Sequence, residues 1–398
     1  MGKWQRYQYL PLHPLGEDGR IVTGSREHIA LSRKAATEGM VLLKNENKAL
    51  PLTAGERVAL FGKACADYVK GGGGSGDVTV SYVRSFCAAM EEKENQGKVA
   101  VFKPLHDFYT ENIAKQRAEG KAPGLTEEPE LPAELLEQAA GACDTAIISI
   151  NRFSGEAWDR KGTAGDFYLS ENEQKMVDAV CSKFSKVIVV LNVGGMVDSS
   201  WFKDNAGIQA VLLAWQGGME GASAQADILC GEVSPSGKLP LTFYHNEALA
   251  EMPDFTDYSM VNRTYRFYTG APLYPFGYGL TYGDVRATAV TADREKAVVT
   301  VENKGGYATE DVVQLYIKDN ASADAPTNPV LCGFKRVVLA PGETKTVELA
   351  IDPKALTVVN NAGERVPGSG SWTLYAGLGQ PDKRTEELTG NAAVSTQI

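Results

Sequence analysis

The pattern of apolar residues changes near residue 282, and this change limits the possible folds more than any other feature of the sequence. Between about residues 56 and 245, apolar residues form short runs without strict alternation with polar residues, which are typical of strands buried on both faces of a sheet. These runs cover residues 58–61, 99–102, 146–150, 187–191, 210–214 and 239–243. A mostly parallel sheet between two layers of helices is therefore expected in this part of the chain.

Helical segments are predicted between several of these runs. The tetrapeptide Ser-Glu-Asn-Glu at residues 170–173 has the form of a capping box, and it predicts a helix that continues to residue 184. Residues 132–143 and 79–92 are predicted to form two further helices. Strand and helix thus alternate along the chain, which is the order of an α/β sandwich with helices on both faces of its sheet.

After residue 282 the apolar runs become short and several of them alternate with polar residues. They lie at residues 298–301, 312–317, 337–339, 346–349 and 372–375, with turn-forming clusters at 303–306 and 340–343. Roughly seven short strands in about 110 residues predict an all-β sandwich of fibronectin type III-like or immunoglobulin-like form.

The length of 398 residues exceeds the roughly 250 to 300 at which a single core stops growing, so more than one domain is expected. The change of pattern divides the chain into an irregular N-terminal arm at residues 1–28, an α/β domain at residues 29–284 and a β domain at residues 285–398. The arm contains prolines and aromatic residues and no periodic pattern.

Charge and cysteine spacing argue against several classes of protein. A formal net charge of -10 is unfavourable for a nucleic-acid surface and leaves neutral ligands such as sugars open. The six cysteines have no paired spacing and are expected to be reduced. The first thirty residues hold charges and no apolar run, and no segment reaches the roughly 18 apolar residues of a membrane span. A cytoplasmic protein without a membrane partner is expected.

A glycine-rich loop, Lys-Gly-Gly-Gly-Gly-Ser-Gly-Asp at residues 70–77, follows the first predicted strand and precedes a predicted helix. Loops in this position bind phosphates in nucleotide-binding proteins, which makes nucleotide binding one hypothesis. The loop lacks the Gly-Lys-Ser/Thr ending of a P-loop, and a close approach to another domain or to a ligand would also require glycine. The four histidines share no short ligand spacing, so no metal site is predicted.

An acidic segment follows the predicted strand at residues 146–150. It has the sequence Phe-Ser-Gly-Glu-Ala-Trp-Asp-Arg over residues 153–160, and it places Glu156 where an open α/β sheet presents its ligand crevice. Charged and aromatic neighbours suit the binding of a sugar and the adjustment of a carboxyl pKa. An ordinary solvated loop would be equally polar, so these residues alone leave a catalytic and a structural interpretation open.

Several longer motifs occur in order along the chain. They are Glu-Gly-Met-Val-Leu-Leu-Lys-Asn at 38–45 with Leu-Pro-Leu at 50–52, Ser-Gly-Glu-Ala-Trp-Asp-Arg at 154–160, the strand at 187–192, Trp-Gln-Gly-Gly-Met-Glu-Gly at 215–221, the segment 231–239 and Tyr-Pro-Phe-Gly-Tyr-Gly-Leu-Thr-Tyr at 274–282. Together with the β domain they resemble glycoside hydrolase family 3, most closely its bacterial β-glucosidases, over about 350 residues. The resemblance implies an α/β sandwich followed by a fibronectin type III-like domain.

The resemblance also implies roles for individual residues. Glu156 is similar in its motif to the general acid/base of a retaining β-glycosidase that hydrolyses terminal β-D-glucosyl residues. The resemblance implies neither a cofactor nor a metal ion. On this resemblance, the residues expected to contact a β-linked glucoside or oligosaccharide are Gly73, Ser75, Trp158, Asp159 and Arg160.

One part of the family's usual architecture has no counterpart in the sequence. The family's nucleophile is an aspartate in a Ser-Asp-Trp-like motif on a TIM-like barrel, and no such motif occurs here. The domain order resembles that of members in which the barrel comes last. We therefore expect the barrel in the same precursor or on a separate chain, and we expect this chain alone to be inactive. A noncatalytic carbohydrate-binding or protein-binding module derived from such an enzyme is the alternative.

Overall fold

The computed structural model describes residue 15, residues 17–19 and residues 23–398. The predicted arm, residues 1–28, therefore lies mostly outside the described residues. A helix at Arg26–Gly39 crosses the predicted boundary between the arm and the α/β domain. It begins after Ser25, whose hydroxyl accepts a hydrogen bond from the His28 amide at 3.3 Å and so satisfies one free amide of the first turn.

A six-stranded sheet forms the centre of the α/β domain. Its strands are β1 (Val41–Asn45), β2 (Glu56–Phe61), β3 (Val99–Val101), β4 (Thr145–Arg152), β5 (Val187–Val193) and β6 (Ala210–Leu213). They lie in the order β1-β6-β5-β4-β2-β3. Every neighbouring pair is parallel except β1 and β6, which are antiparallel. The sheet is therefore mostly parallel, as predicted.

Both faces of this sheet are buried, which explains the apolar runs. In β4, Ile148 packs into the core on one face and Ile147 into the core on the other, and both are fully buried. Phe61 and Leu60 of β2 are divided between the two cores in the same way. Because successive side chains of a strand point to opposite faces, a sheet covered on both sides favours apolar residues at consecutive positions.

The helices around the sheet include those predicted at residues 132–143 and 170–184, and the predicted capping box forms at the start of the second of these. The helices at residues 26–39, 103–118 and 221–229 and the three short helices of this domain are not predicted from the sequence. The helices of this domain run over Arg26–Gly39, Phe86–Asn95, Lys103–Ala118, Ala133–Ala142, Glu171–Lys183, Ser200–Lys203, Gly221–Leu229, Asn246–Ala250 and Thr264–Phe267.

The helix predicted at residues 79–92 begins later than expected. It covers Phe86–Asn95, and residues 79–85 are not helical. The Ser85 hydroxyl accepts a hydrogen bond from the Ala88 amide at 3.1 Å and so caps the helix at this point. The part of the prediction that covers residues 79–85 is therefore wrong, because a cap inside the predicted range sets the start.

Residues 239–243 form no strand of the sheet, so this prediction is also wrong. The Leu239 amide donates instead to the Tyr278 carbonyl at 2.9 Å. The Phe243 amide donates to the Tyr274 carbonyl, also at 2.9 Å. The backbone of this segment therefore forms hydrogen bonds with a neighbouring loop and not with a strand. Its apolar side chains are buried in the core of the domain.

The β domain is a sandwich of two antiparallel sheets, as predicted. One sheet has the order β11-β8-β7 and the other has the order β10-β9-β14-β15, with a separate ribbon of β12 and β13. The helix Lys383–Thr389 also belongs to this domain. The strands are β7 (Val285–Ala292), β8 (Lys296–Asn303), β9 (Thr309–Asp319), β10 (Val330–Leu339), β11 (Thr344–Ala350), β12 (Thr357–Val359), β13 (Arg365–Pro367), β14 (Trp372–Gly377) and β15 (Val394–Gln397).

Buried polar contacts connect the two domains. Lys238 of the α/β domain forms an ion pair with Asp311 of β9 at 2.8 Å, and both side chains are largely buried. Burial raises the pKa of Asp311, although the nearby Lys238 opposes that effect. The side-chain amide of Gln314 donates a hydrogen bond to the Gly277 carbonyl at 2.9 Å. The β domain is therefore attached to the last segment of the α/β domain by specific contacts.

Two further observations concern the cysteines and the helices. All six cysteines are within the described residues, and none of them is in a disulfide. No described helix has the length and the apolar character that are needed to cross a membrane. The cytoplasmic location stays a prediction.

Candidate active site

The two loops singled out by their sequence meet at the carboxyl edge of the sheet. The glycine-rich loop comes after β2, and the loop that carries Glu156, residues 153–169, comes directly after β4. β2 and β4 are parallel neighbours, with Phe61 opposite Ile148. Because parallel neighbours end at the same edge, the loops that follow them converge, and this edge is where open α/β sheets bind ligands.

A backbone contact joins the two loops. The Gly73 amide donates a hydrogen bond to the Ser154 carbonyl at 3.0 Å, and Gly73 pairs with Gly155 as neighbouring parallel strands do. A Cβ atom on Gly155 would lie 2.4 Å from the Gly73 nitrogen, and one on Gly72 would lie 2.7 Å from the Ser154 oxygen. Only glycine permits this approach, so contact with the Glu156 loop explains these glycines without a phosphate ligand.

The Glu156 side chain is exposed to solvent. Its carboxylate accepts one long hydrogen bond from the Ser75 hydroxyl, at 3.4 Å. Gly74 lies against the same side chain, since a Cβ atom there would come within 2.7 Å of Glu156 Oε2. The glycine-rich loop therefore flanks the carboxyl group on one side and leaves it accessible. A carboxylic acid in this position can donate and accept protons.

Arg160 braces the Glu156 loop from within. Its guanidinium donates to the Phe153 carbonyl and, at 2.9 Å, to the Ser154 hydroxyl. It also forms an ion pair with Asp166. Burial lowers the pKa of Arg160, but a guanidinium keeps its charge in proteins. A direct contact between Arg160 and a substrate stays a prediction, whereas its contacts within the loop give it a bracing role.

A buried ion pair anchors the base of this loop. Arg152, the last residue of β4, donates two hydrogen bonds to the Glu173 carboxylate, both at 2.8 Å. Burial raises the pKa of Glu173, but the charge and the hydrogen bonds of Arg152 outweigh that effect and lower it overall. Arg152 Nε also donates to the Asp166 carbonyl at 2.6 Å. The strand, the loop and the helix Glu171–Lys183 are therefore held together.

A second long-range contact holds the segment after the glycine-rich loop. The Tyr82 hydroxyl donates to the Glu220 carboxylate at 2.5 Å, and this hydrogen bond raises the pKa of Tyr82. Glu220 is buried and lies 3.6 Å from the guanidinium of Arg33. Sequence reasoning did not identify these residues. The one signal was the motif at residues 215–221, in which Glu220 is the acidic residue among glycines.

Trp158 and Asp159 line a cavity of about 760 Å³, to which neither Glu156 nor the glycine-rich loop contributes. The Trp158 side chain is 52% exposed, and its ring packs edge-on against Phe153 with 5.2 Å between the ring centroids. Asp159 is exposed and forms no hydrogen bond or ion pair within the part of the chain that the structure describes.

The predicted site residues therefore fall into two groups. Gly73 and Ser75 lie with Glu156 at the meeting point of the two loops. The second group lines the neighbouring cavity and consists of Trp158, Asp159 and Arg160.

The chemistry available to the first group is acid–base chemistry. It offers one accessible carboxyl group with the Ser75 hydroxyl beside it. Across residues 23–398 and the few described residues before them, no three His, Cys, Asp or Glu side chains are grouped so that they could hold a metal ion.

Comparison with protein-family models gives two matches. The model described as glycosyl hydrolase family 3 C-terminal domain matches residues 40–282, and the fibronectin type III-like domain matches residues 311–379. The sequence is 40% identical to β-glucosidase A of Butyrivibrio fibrisolvens, in an alignment that covers 99% of this chain and 55% of that protein. It is 33% identical to a β-glucosidase of Ruminococcus albus, in an alignment that covers 88% of this chain and 39% of that protein.

Solved structures give the same result. A β-glucosidase of Paenibacillus barengoltzii superposes with a TM-score of 0.82 at 29% identity, covering 94% of this chain and 43% of that one. β-Glucosidase 3B of Thermotoga neapolitana, in complex with α-D-glucose, superposes with a TM-score of 0.81 at 32% identity. The superposition covers 94% of this chain and 54% of that one. This chain spans about half the length of such relatives. The resemblance seen in the motifs is confirmed, and the chain belongs to glycoside hydrolase family 3.

Proposed function

We propose that this chain is the part of a retaining β-glycosidase, of the β-glucosidase type, that supplies the general acid/base, and that Glu156 is this residue. The observation that carries the proposal is the position of the Glu156 carboxyl group. It is exposed at the carboxyl edge of the sheet, on a loop that the Arg152–Glu173 ion pair and the contact of Gly73 with Ser154 hold in place. The names of the relatives, β-glucosidases among them, support the reaction class.

The proposed reaction is a double displacement. A nucleophilic carboxylate attacks the anomeric carbon while Glu156 protonates the leaving oxygen, and Glu156 then takes a proton from the water that releases the sugar. The two carboxyl groups of such an enzyme stand about 5 to 5.5 Å apart. Glu156 must therefore reach a sugar that is bound against another surface, which its exposure permits.

We propose that the nucleophile lies on a TIM-like barrel, either in the same precursor or on a separate chain. Relatives that are about twice as long as this chain support a further domain. The substrate, a β-linked glucoside or oligosaccharide, would then lie between the barrel and the Glu156 loop. Docking of the barrel would exclude water from the site, which strengthens the interactions that act on the reacting groups.

Exposed apolar side chains that follow the glycine-rich loop in sequence support such docking. Val78 and Val83 follow the glycine-rich loop and are 63% and 45% exposed. Tyr82 lies between them and is fixed by its hydrogen bond to Glu220. Exposed apolar side chains on a segment that is held in place are typical of a contact surface for another domain.

An activity assay tests this proposal. The purified chain is incubated with an aryl β-glucoside, first alone and then fused to the part of the Butyrivibrio fibrisolvens β-glucosidase A that the chain does not match. We expect no turnover above background by the chain alone, because the proposed nucleophile lies on the barrel, and clear turnover by the fusion. Robust turnover by the chain alone would contradict the proposal. A folded fusion without activity would favour the noncatalytic carbohydrate-binding or protein-binding module.

A further inference from the structure

The cavity beside the Glu156 loop has the dimensions of a binding site for a small molecule. We call it the loop cavity, and three segments enclose it: residues 124–128, residues 157–166 and the first turn of the helix at residues 170–173. Its volume of about 760 Å³ is within the range of roughly 300 to 1,000 Å³ that is common for ligand sites. The Glu156 side chain does not line it, so the loop cavity is separate from the candidate acid/base.

The floor of the loop cavity consists of buried polar side chains. Lys63, Glu128 and Asn151 line it and are almost fully buried. Glu128 Oε1 and Asn151 Oδ1 have no hydrogen-bond partner among the described residues. The Lys63 ammonium donates one hydrogen bond, to the Thr126 carbonyl, although an ammonium can donate three. Both oxygens are closed to solvent, so a molecule in the cavity does not bond to them in this conformation, whereas Lys63 lines the cavity with an ammonium that can donate further hydrogen bonds.

The charges around the loop cavity nearly balance. The cationic side chains of Lys63, Arg152, Arg160 and Lys161 face six acidic ones. Two of the four cations are already paired with carboxylates, in Arg152–Glu173 and Arg160–Asp166. Burial raises the pKa of Glu128 to about 8, so this carboxyl group is mostly uncharged at neutral pH. Neither an anion nor a cation is favoured, whereas a neutral molecule with many hydroxyl groups finds donors and acceptors.

The rim adds an aromatic surface and an acceptor. The Trp158 side chain lines the cavity and is half exposed, so part of its surface is available to a ligand. A sugar ring can pack its apolar face on such a side chain while its hydroxyl groups bond to polar neighbours. Asp159, which has no partner among the described residues, offers carboxylate oxygens at the same rim.

We propose that the loop cavity binds a neutral polyhydroxylated molecule of the size of a mono- or disaccharide. The ligand packs against Trp158 and bonds to Asp159 at the rim and to Lys63 at the floor. It lies beneath the loop that carries Glu156 but does not contact the carboxyl group of that residue. The inference therefore does not depend on the proposed glycosidase reaction, and it applies to the chain without a barrel.

Ligand-observed saturation-transfer NMR on the purified chain tests this inference, with D-glucose and cellobiose as the probes. We expect saturation transfer to at least one of the two sugars, and a Kd that rises roughly tenfold in Trp158→Ala. A second variant, Ala164→Trp, adds bulk at an exposed position of the lining and should reduce binding without removing a contact. Glu156→Gln is the matched control and should bind as the unmodified chain does. Thermal melts establish that each variant is folded.

Three results would overturn the inference. Absence of saturation transfer to both sugars at tens of millimolar would show that the loop cavity does not take them. Unchanged binding in folded Trp158→Ala and Ala164→Trp would show that the sugars bind elsewhere. Loss of binding in Glu156→Gln would place them at the candidate acid/base. The activity of the barrel fusion is a separate readout, so failure of one proposal is distinguishable from failure of the other.

Discussion

The carboxyl edge of the α/β sheet and the β sandwich are held together by different interactions. At the edge, the buried ion pair Arg152–Glu173 and the contact of Gly73 with Gly155 fix the loops. In the sandwich, alternate side chains of β8 such as Val299 and Val301 fill the core. Ion pairs such as Lys296–Glu348, at 3.0 Å, are exposed on its surface. The loops at the edge therefore depend on a few directional contacts, whereas the sandwich depends on apolar burial.

Removal of one carboxylate from each region should give the largest difference. Glu173→Gln leaves the buried Arg152 charge without its partner, and we expect a loss of about 3–5 kcal/mol in the free energy of unfolding. The exposed counterpart, Glu348→Gln, should cost less than about 1 kcal/mol because solvent screens that pair. Urea denaturation of both variants measures the difference. Similar small losses would mean that the ion pair does not anchor the loop.

Addition of a single methyl group sharpens the same comparison. Gly155→Ala forces the two loops apart, and we expect a cost of roughly 1–3 kcal/mol together with a clear loss of turnover in the barrel fusion. Gly306→Ala in the β domain is the matched control, because a Cβ atom there meets nothing within 4 Å, and it should stay within about 0.5 kcal/mol. Equal melting temperatures and equal turnover for the two variants would contradict the close contact.

The buried acid beside the Glu156 loop should make stability depend on pH. Burial raises the pKa of Glu128 from 4.5 to about 8, so the folded chain binds more protons than the unfolded chain between these values. Its stability contribution is complete below pH 4.5 and is lost as the pH rises through about 8. The slope is at most roughly 1.4 kcal/mol per pH unit.

Denaturation as a function of pH compares the unmodified chain with Glu128→Gln. The variant has no titrating group at this position and should lack this part of the slope. Parallel pH profiles of the two proteins would show that the Glu128 carboxyl group does not carry the dependence.

Much of the fold could be predicted because apolar runs report burial. Residues 146–150 are apolar because β4 is covered on both faces, and β5 at residues 187–191 is apolar for the same reason. Residues 239–243 show the limit of this reasoning. Leu239 and Phe243 are buried in the same core, but their backbone pairs with a loop. An apolar run therefore identifies a buried segment and does not by itself identify a strand.

The meeting of the Glu156 loop with the glycine-rich loop could be predicted from the sequence, whereas the contacts that hold these loops in place could not. Motif and position at a strand end led to Glu156 and to the glycine-rich loop. The contact of Arg152 with Glu173 joins a strand to a helix, and from the sequence Glu173 is only a capping residue. Tyr82 and Glu220 are 138 residues apart, so no local pattern connects them. Contacts of this kind depend on how the loops fold over the edge of the sheet.

Proton transfer by Glu156 is the central claim, and the leaving-group dependence of Glu156→Gln in the barrel fusion tests it most directly. With phenyl β-glucoside, whose leaving group needs a proton, we predict a loss of roughly 10²- to 10⁴-fold in kcat/KM. With 2,4-dinitrophenyl β-glucoside, whose leaving group departs without a proton, the loss in kcat/KM should be far smaller. Glu111→Gln, at an exposed position on the helix Lys103–Ala118, should leave both rates unchanged. Equal losses with the two substrates would contradict the role of Glu156 as proton donor.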